Sequence, residues 1–358
     1  MILNIFLLST PSQLINVIEA KKYFSISADS SVAIINAYST NLILMKELLK
    51  QEEWREIIFI EDNAERQKEH EQNLKRGNHL HAIKRVFQQT AKLNKLIEKY
   101  SEVKNLFVGY YLSLENIHIV NTVRYEKLIL LDDGIATLEV NRRRKNNISF
   151  LNAWNIEFLG RVLFKKYILG YKLKHPKSAV FFTSYNIEPG PNDSIVKNDY
   201  AEIMKLAGHK ETGEEVYFLG QPLSEEMPKI VTEEVYFKYI EFVVERFKLQ
   251  KIVYIPHRDE DRSKLERLSN TFNITILFND IPFELFLLKQ PKLPRYLIGL
   301  ITSAIPNCKA IFGEALNIQA VRINTEHIIN KALITTIEET YAYFETLEDE
   351  NFIIVSID

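Results

Sequence analysis

The sequence predicts an α/β protein built from two parallel sheets, each covered by helices on both faces. Short apolar runs rich in β-branched and aromatic residues alternate with longer helical patterns along the chain. The alternation extends through both halves of the chain. A chain of 358 residues with 46% hydrophobic content is also long enough to fill about two cores, which excludes a disordered protein.

The first half alternates five candidate strands with helical segments. The strands are "ILNIFLLS", "VAIINAYS", "EIIFIED", "NLFVGYY" and "KLILLDD". Between them lie the helical patterns "SQLINVIEAKKYF", "NLILMKELLKQ" and "HAIKRVFQQTAKLNKLIEKY". Such β-α repetition predicts parallel strands.

The second half repeats the scheme. Its candidate strands are "AVFFTS", "EVYFLG", "KIVYIP", "ITILFN", "KAIFGE" and "AVRIN". Helical patterning stops at "YKLKHPKSA", where Pro176 intervenes. We therefore expect a first nucleotide-fold domain over residues 1–175 and a second over 176–335. Over residues 336–358 we expect a helix and a strand that could pack back on the first domain.

Composition excludes several classes of protein. The single cysteine, Cys308, rules out a disulfide framework, and the eight histidines form no close-set ligand pattern for structural zinc. The start, "MILNIFLLSTPSQ", lacks the basic leader of a signal peptide. No stretch approaches the roughly 18 apolar residues of a membrane-spanning helix. We expect a cytoplasmic protein.

Two adjacent carboxylates and a glycine end the fifth strand. In parallel sheets, ligands bind beyond the carboxyl ends of the strands, where Asp132, Asp133 and Gly134 are expected to lie. Carboxylates this close raise each other's pKa, a property that suits a general base working near neutral pH. The alternative is a solvated turn that caps a helix.

Polar residues also follow the strands of the second half. Gln221 follows "EVYFLG", and His257 follows Pro256 at the end of "KIVYIP". Glu284 falls in the first turn of a helix, where it could simply complement the helix dipole. The "ITSA" hydroxyl pair opens another helix, whose N-H groups could hold a phosphate or form an ordinary cap. A histidine at a strand end can equally be structural, and Gln221 is supported mainly by its position.

These residues, in this order, resemble the bacterial sialyltransferases of the lipooligosaccharide type, glycosyltransferase family 52, and their polysialyltransferase relatives. "LLSTPSQLINVIEA" resembles the family's first strand and helix, "LLDDGIA" its acidic pair, "YIPHRDED" its histidine motif and "ITSA" its serine or threonine pair. One departure concerns the histidine, which proline usually follows in the family. Here Arg258 follows His257, and Pro256 precedes it.

The resemblance implies the glycosyltransferase B (GT-B) architecture, two Rossmann-like domains facing a central cleft, with the acceptor toward the first and the donor in the second. It implies inverting transfer of sialic acid, or a related acid sugar, from its CMP-activated form to a glycan or lipid-linked glycan of lipooligosaccharide or capsule, without metal or other cofactor. Asp132 would be the general base and Asp133 its supporting carboxylate. His257 would bind the CMP phosphate, Glu284 the ribose hydroxyls and the hydroxyl pair the phosphate. The donor-binding set is Gly134, Gln221, Pro256, His257, Glu284, Thr302 and Ser303.

Two other functions stay open. One is a two-domain enzyme that uses another nucleotide sugar, such as a UDP-sugar transferase or epimerase. The other is a non-catalytic glycan-binding protein on a decayed transferase fold, suggested by the altered histidine motif. "RDED", residues 258–261, is spaced like the metal motif of the other large glycosyltransferase fold, but a charged first helical turn explains it better. A dinucleotide dehydrogenase is disfavoured because no strand is followed by a glycine-rich phosphate turn.

Residues 142–177 carry ten Lys or Arg against one Glu, interleaved with aromatics such as Trp154 and Tyr167. This segment could rest on anionic lipid at the inner face of the cytoplasmic membrane, or guide a polyanionic glycan. The alternative is a helical hairpin with core aromatics and solvated cations. Nucleic acid is not expected as a partner, since no recognised motif supports it.

Overall fold

The computed structural model describes residues 3–37, 39–60, 79–100, 102–152, 156–225 and 229–357. The chain forms two compact units, Met1–Glu202 and Ile203–Asp358. Each unit contains a parallel sheet with helices between its strands. The predicted α/β class with two parallel sheets is confirmed.

The first unit is built on a seven-stranded parallel sheet. Its strands are β1 Asn4–Leu8, β2 Ser31–Ile35, β3 Glu56–Phe59, β4 Glu102–Val108, β5 Arg124–Leu131, β6 Val180–Thr183 and β7 Ser194–Lys197. They lie in the order β3-β2-β1-β4-β5-β6-β7. This is the Rossmann order, extended by one strand, and it reverses direction between β1 and β4.

Helices of the first unit connect these strands. They are α1 Gln13–Tyr23, α2 Ser39–Leu48, α3 His79–Lys99, α4 Leu114–Val120, α5 Ala136–Lys145 and α6 Ile156–Leu163, with a π-helical turn at Phe164–Ile168. A further helix, α7 Ala201–Ala207, lies at the division between the units.

Strand β1 shows why the first sheet is covered on both faces. Ile5 and Leu7 belong to one hydrophobic core, and Phe6 and Leu8 belong to the other. Successive strand residues point to opposite faces, so a strand with helices on both sides reads as a continuous apolar run. This explains why the first five strands were visible in the sequence.

The second unit has a six-stranded parallel sheet in the order β11-β10-β9-β13-β14-β15. Its strands are β9 Val216–Leu219, β10 Ile252–Ile255, β11 Ile274–Ile276, β13 Tyr296–Gly299, β14 Asn317–Arg322 and β15 Phe352–Ser356. A small separate sheet pairs β8 Glu211–Thr212 with β12 Lys292–Leu293. The helices are α8 Glu233–Arg246, α9 Arg262–Thr271, α10 Phe283–Lys289, α11 Ala304–Phe312 and α12 Ile334–Glu345. The order again reverses once, between β9 and β13.

The division between the units falls after Glu202, not at residue 175 as the sequence suggested. The strand in "AVFFTS" is β6, which pairs with β5 through Ile129 and Val180 and so belongs to the first sheet. The C-terminal residues likewise join the second unit. Strand β15 pairs with β14, and Tyr341 of α12 donates a hydrogen bond to the Val321 carbonyl at 2.8 Å.

One predicted strand is a helix. "KAIFGE" begins within α11, whose buried residues Ala304, Ile305, Cys308 and Ile311 follow a helical spacing. The strand of this region is instead β13, "YLIG", which was not predicted. A short apolar run does not by itself distinguish a buried strand from a buried helix turn. Across the described parts of the chain, no helix combines the length and apolarity needed to cross a membrane.

Candidate functional site

Asp132 lies at the end of β5 and is only 2% exposed. Its Oδ2 accepts hydrogen bonds from the backbone N-H of Ser184 at 2.8 Å and from the Ser184 hydroxyl at 3.1 Å. Its carbonyl accepts one from Asn16 of α1 at 2.9 Å. Burial raises the pKa of Asp132 to about 6, although the neighbouring Thr183 and Ser184 donors act against this rise. Asp132 therefore joins the ends of β5 and β6 beneath the surface.

Asp133 is more accessible, being half-buried. Its Oδ1 accepts a 2.6 Å hydrogen bond from Gln13 Nε2. Burial raises the pKa of Asp133 to about 6, the Gln13 hydrogen bond opposes that rise, and the charge of Asp132 adds to it. Gly134 follows with φ of 58°, a left-handed conformation that favours glycine and turns the chain into α5. Of the two carboxylates, Asp133 is the one that can meet a ligand.

Gln13 holds Asp133 in place and was not predicted as a site residue. Its side chain is 0% exposed, and its Oε1 accepts a hydrogen bond from the Ser9 N-H at 2.7 Å. A Cβ on Gly109 would lie 2.4 Å from this oxygen, so the close approach of β4 requires glycine there. The signal was a polar residue at the start of α1 in "TPSQ", whose burial the sequence alone does not reveal.

A cavity of about 300 Å³ opens where the strand order of the first unit reverses. Its lining includes Ser9 after β1, Asn36 after β2 and Tyr110 after β4. Ser9 is 6% exposed, and among the described residues its hydroxyl has no hydrogen-bond partner. Burial raises the pKa of Tyr110, and the charges of Asp133 and Glu115 raise it further, so this phenol lies near both carboxylates. The cavity therefore combines apolar side chains with the polar groups of Ser9, Asn36 and Tyr110, and Gln13 links Ser9 to Asp133.

In the second unit, Gln221 ties the two strands on either side of the reversal point. Its side-chain Oε1 accepts a 3.0 Å hydrogen bond from the Ile301 N-H, which follows β13. Its own N-H donates to the Tyr236 hydroxyl at 3.0 Å. Gln221 is 9% exposed. Gln221, which was predicted to bind the donor, thus connects the ends of β9 and β13.

A buried ionic cluster lies beneath the same strand ends. Lys264 Nζ lies 2.6 Å from Glu260 Oε1 and 2.8 Å from Glu225 Oε1, and it donates to the Gln221 carbonyl at 3.2 Å. The side chains of Lys264 and Glu260 are both 0% exposed. Glu260 also accepts a 2.7 Å hydrogen bond from the His257 N-H. The interpretation of "RDED" as a charged first helical turn is therefore wrong for Glu260, which precedes α9 and is a buried ion-pair partner of Lys264.

His257 follows the buried Pro256 and has a side chain that is 40% exposed. Its Nδ1 accepts a 3.3 Å hydrogen bond from the Asp259 N-H, which leaves Nε2 to carry the proton of the neutral ring. Burial lowers the pKa of His257, against the opposing charge of Asp259. Arg258 pairs with Asp259, with 3.6 Å between Nε and Oδ2. At neutral pH the site offers an uncharged N-H donor.

The hydroxyl pair lies between β13 and α11. Ser303 precedes the helix and makes no side-chain capping bond, whereas the Thr302 hydroxyl accepts a 3.3 Å bond from the Ala304 N-H. Glu284 of α10 is 3% exposed and accepts a 2.7 Å bond from Asn307 of α11. Burial raises the pKa of Glu284. Gln221 and the hydroxyl pair are thus brought together, His257 is linked to them through Glu260 and Lys264, and Glu284 supports α11 from below.

The cations of residues 142–145 are engaged within the first unit. Arg144 is bound to Asp193 at 2.8 Å, Arg143 to Glu139 at 2.6 Å and Lys145 to Glu188 at 2.7 Å. A functional role for the charge excess, as in binding anionic lipid, is therefore not supported for this stretch, because Glu139, Asp193 and Glu188 pair with its cations. His175 has a structural role, since its ring is bonded to the Tyr111 hydroxyl and the Ile148 carbonyl. Trp154 lies outside the described residues.

No protein-family model matches the chain, and no curated protein matches its sequence. It is similar to the solved 2,6-sialyltransferase of Photobacterium sp. JT-ISH-224 in complex with CMP and lactose, with 11% identity over 98% of this chain and 78% of that chain and a TM-score of 0.49. It is also similar to the GT-B domain of a Photobacterium damselae sialyltransferase, with 12% identity, full coverage of both chains and a TM-score of 0.48. A third similar structure is a UDP-glucosyltransferase from Polygonum tinctorium, with 11% identity, coverage of 97% and 93%, and a TM-score of 0.43.

One fold serves many chemistries, so function has to be argued from the side chains at the strand ends. Within the ranges that the structure describes, no group of three or more His, Cys, Asp or Glu side chains is arranged to hold a metal ion.

Proposed function

We propose that the protein is an inverting, metal-independent glycosyltransferase of GT-B type that transfers a CMP-activated acid sugar to a glycan acceptor. The observation that carries the proposal is Asp133, a half-buried carboxylate with its pKa raised to about 6 and joined through Gln13 to Ser9 of the cavity. A sugar hydroxyl is a weak nucleophile and needs a positioned base. A carboxylate with this pKa is largely ionised at pH 7 and still basic enough to accept a proton.

In this proposal Asp133, rather than Asp132, takes the proton from the acceptor. Asp132 is 2% exposed and its Oδ2 is occupied by Ser184, so it is suited to hold the ends of β5 and β6. Asp133 is half-buried, and its side chain has a single described hydrogen-bond donor, Gln13. The acceptor sugar would occupy the cavity, where the unpartnered Ser9 hydroxyl and Tyr110 provide hydrogen-bonding groups.

The donor would bind at the strand ends of the second unit. The Ser303 hydroxyl makes no capping hydrogen bond to α11. Together with the backbone N-H groups at the start of that helix, it forms a set of donors suited to a phosphate. His257 adds a neutral Nε2-H, which can stabilise the charge that develops on the departing phosphate. Glu284 has a supporting role here instead of binding ribose directly, since it is 3% exposed and bonded to Asn307.

The reaction balances without a further reactant. The acceptor oxygen forms a bond to the anomeric carbon of the donor sugar while its proton passes to Asp133. The bond between that carbon and the phosphate oxygen breaks, and CMP leaves with the electron pair. Attack on the face opposite the phosphate inverts the anomeric configuration.

Nucleotide binding tests the donor side of the proposal. A ligand that binds only the native state raises the unfolding temperature, so CMP should stabilise the protein more than UDP or GDP does. Ser303→Ala should weaken the stabilisation by CMP, whereas Ser269→Ala, a matched change at an exposed serine of α9, should not. Preferential stabilisation by UDP would replace the CMP donor with a UDP-sugar.

Turnover tests the reaction itself. Incubation with CMP-activated acid sugars should release CMP, slowly by hydrolysis and faster with a glycan acceptor. Chelator should leave the rate unchanged. Loss of turnover that manganese restores would contradict the metal-independent mechanism, and absence of both CMP binding and CMP release would favour a non-catalytic glycan-binding protein.

A further inference from the structure

The first unit has an exposed apolar surface formed by α3, α6 and the π-helical turn. We define this α3–α6 patch by five side chains: Ile83 (43% exposed), Phe87 (46%), Leu163 (40%), Tyr167 (66%) and Ile168 (60%). The two helical elements meet through Phe87 and Phe164, whose ring centroids are 6.4 Å apart. The patch is therefore one surface and not a set of scattered residues.

Clustering distinguishes this surface from the rest of the molecule. Isolated exposed apolar side chains are common, but contiguous ones mark interaction sites. Five of the fourteen large hydrophobic side chains exposed among the described residues belong to the α3–α6 patch. Removing these side chains from water would be favourable, and an apolar partner would provide that burial.

The charges around the patch are predominantly positive. Residues 156–177 contain six Lys or Arg and one Glu. Lys172, Lys174 and Lys177 are exposed, and Lys166 Nζ lies 5.1 Å from the Tyr167 ring centroid. Lys165 is paired with Glu115, as the cations of 142–145 are paired with acidic partners, so the exposed lysines are the relevant charges. The patch thus combines exposed apolar groups with Lys166 at its edge and exposed lysines shortly after it in the chain.

We propose that the α3–α6 patch docks the first unit on the anionic surface of a membrane. Tyr167 and Ile168 would enter the headgroup region, and the surrounding lysines would pair with anionic headgroups. Three of its five side chains are isoleucine or leucine, which favour lipid over nucleic acid because aliphatic groups do not stack on bases. Since Phe158 and Arg161 of α6 also line the cavity beside Asp133, docking would bring that cavity close to the lipid surface. The inference goes beyond the proposed function, because it concerns where the protein binds and not what it transfers.

Vesicle sedimentation of the full chain tests the proposal. At low salt the protein should bind phosphatidylcholine vesicles that contain one quarter phosphatidylglycerol, and bind pure phosphatidylcholine only weakly. Tyr167→Ser/Ile168→Ser and Lys172→Glu/Lys174→Glu should each weaken binding about tenfold or more. The matched controls are Leu249→Ser, at a leucine 95% exposed in the second unit, and Lys248→Glu beside it. Both should bind within about twofold of the unmodified protein.

Several results would overturn the docking proposal. These are absence of binding to the anionic vesicles, or equal binding by patch and control variants. A concentration-dependent dimer that Tyr167→Ser/Ile168→Ser abolishes, without vesicle binding, would assign the patch to a second copy of the chain. Asp133→Asn should bind vesicles normally, so vesicle binding and glycosyl transfer can fail independently.

Discussion

The two units share a strand order but treat buried carboxylates in opposite ways. In the first unit, Asp132 and Asp133 accept hydrogen bonds from neutral groups, Ser184 and Gln13. In the second unit, Glu260 lies 2.6 Å from the ammonium of Lys264. Burial raises the pKa of all three carboxylates, and the opposing influence is hydrogen bonding from neutral groups at Asp132 and Asp133 but the ammonium of Lys264 at Glu260. The same topology can therefore carry a proton acceptor in one unit and a rigid, internally neutralised support in the other.

The groups left at the two surfaces differ accordingly. The first unit has a half-buried carboxylate, Asp133, joined to its cavity through Gln13. The second exposes donors, namely the His257 ring and the Ser303 hydroxyl at the start of α11. A base and an anion-binding site are the two requirements of an inverting transfer from a phosphate leaving group. Substitutions at these groups test whether the first unit supplies the base and the second the anion-binding site.

The largest expected effect is on activity. Asp133→Asn should lower kcat/KM by about 10²–10⁴-fold, the usual contribution of a general base, while stabilisation by CMP stays unchanged. Asp29→Asn, at an exposed aspartate of the same unit, is the control and should retain full activity. If only Asp132→Asn abolished transfer, the base would be the buried carboxylate and the contrast in accessibility would have no functional meaning.

Removing the buried cation should have the largest effect on stability. Lys264→Met leaves Glu260 and Glu225 unpaired in the interior and should lower the free energy of unfolding by about 3–5 kcal/mol. Chemical denaturation measures this loss. Lys251→Met removes a cation from an exposed pair with Glu215 and should cost less than about 1 kcal/mol.

A second substitution checks the cause of that loss. Adding Glu260→Gln to Lys264→Met should recover part of the lost stability, because it removes one of the unpaired carboxylates. Equal effects of Lys264→Met and Lys251→Met would show that the buried cluster does not stabilise the second unit.

The pH dependence of stability should differ between the units because of Asp132. Its pKa rises from 3.8 to about 6 on folding, so its protonated form favours the folded state. That favourable contribution is complete below pH 3.8 and is lost as the pH rises through about 6, up to about 3 kcal/mol. Asp132→Asn removes the share of this dependence that Asp132 contributes, whereas the share of Asp133, whose pKa is also raised to about 6, remains. The stability of this variant relative to the unmodified protein should therefore increase between pH 4 and pH 7 in denaturation experiments, and a flat difference would contradict the raised pKa.

The smallest expected effect is a shift in the pH profile. The Gln13 hydrogen bond lowers the pKa of Asp133, so Gln13→Met should raise that pKa. The acid limb of kcat/KM should then move to higher pH by less than about one pH unit. Gln88→Met, at an exposed glutamine of α3, should leave the limb in place. A shift toward lower pH would show that Gln13 does not stabilise the ionised base.

The sequence by itself determined the α/β class, most of the strands and the location of the polar residues at strand ends. These features are local: a strand buried on both faces is a continuous apolar run, and the residue that follows it in the chain also follows it in space. For this reason Asp132, Asp133, Gln221 and His257 could all be assigned to strand ends.

Only the tertiary structure decided which aspartate is accessible, which carboxylate is paired and where the first unit ends. Each of these depends on a contact between residues far apart in the chain. Gln13 reaches Asp133 across 120 positions, Ser184 covers Asp132 across 52, and Lys264 reaches the Gln221 carbonyl across 43. Burial and charge pairing arise from such packing, and no local pattern of residues records them.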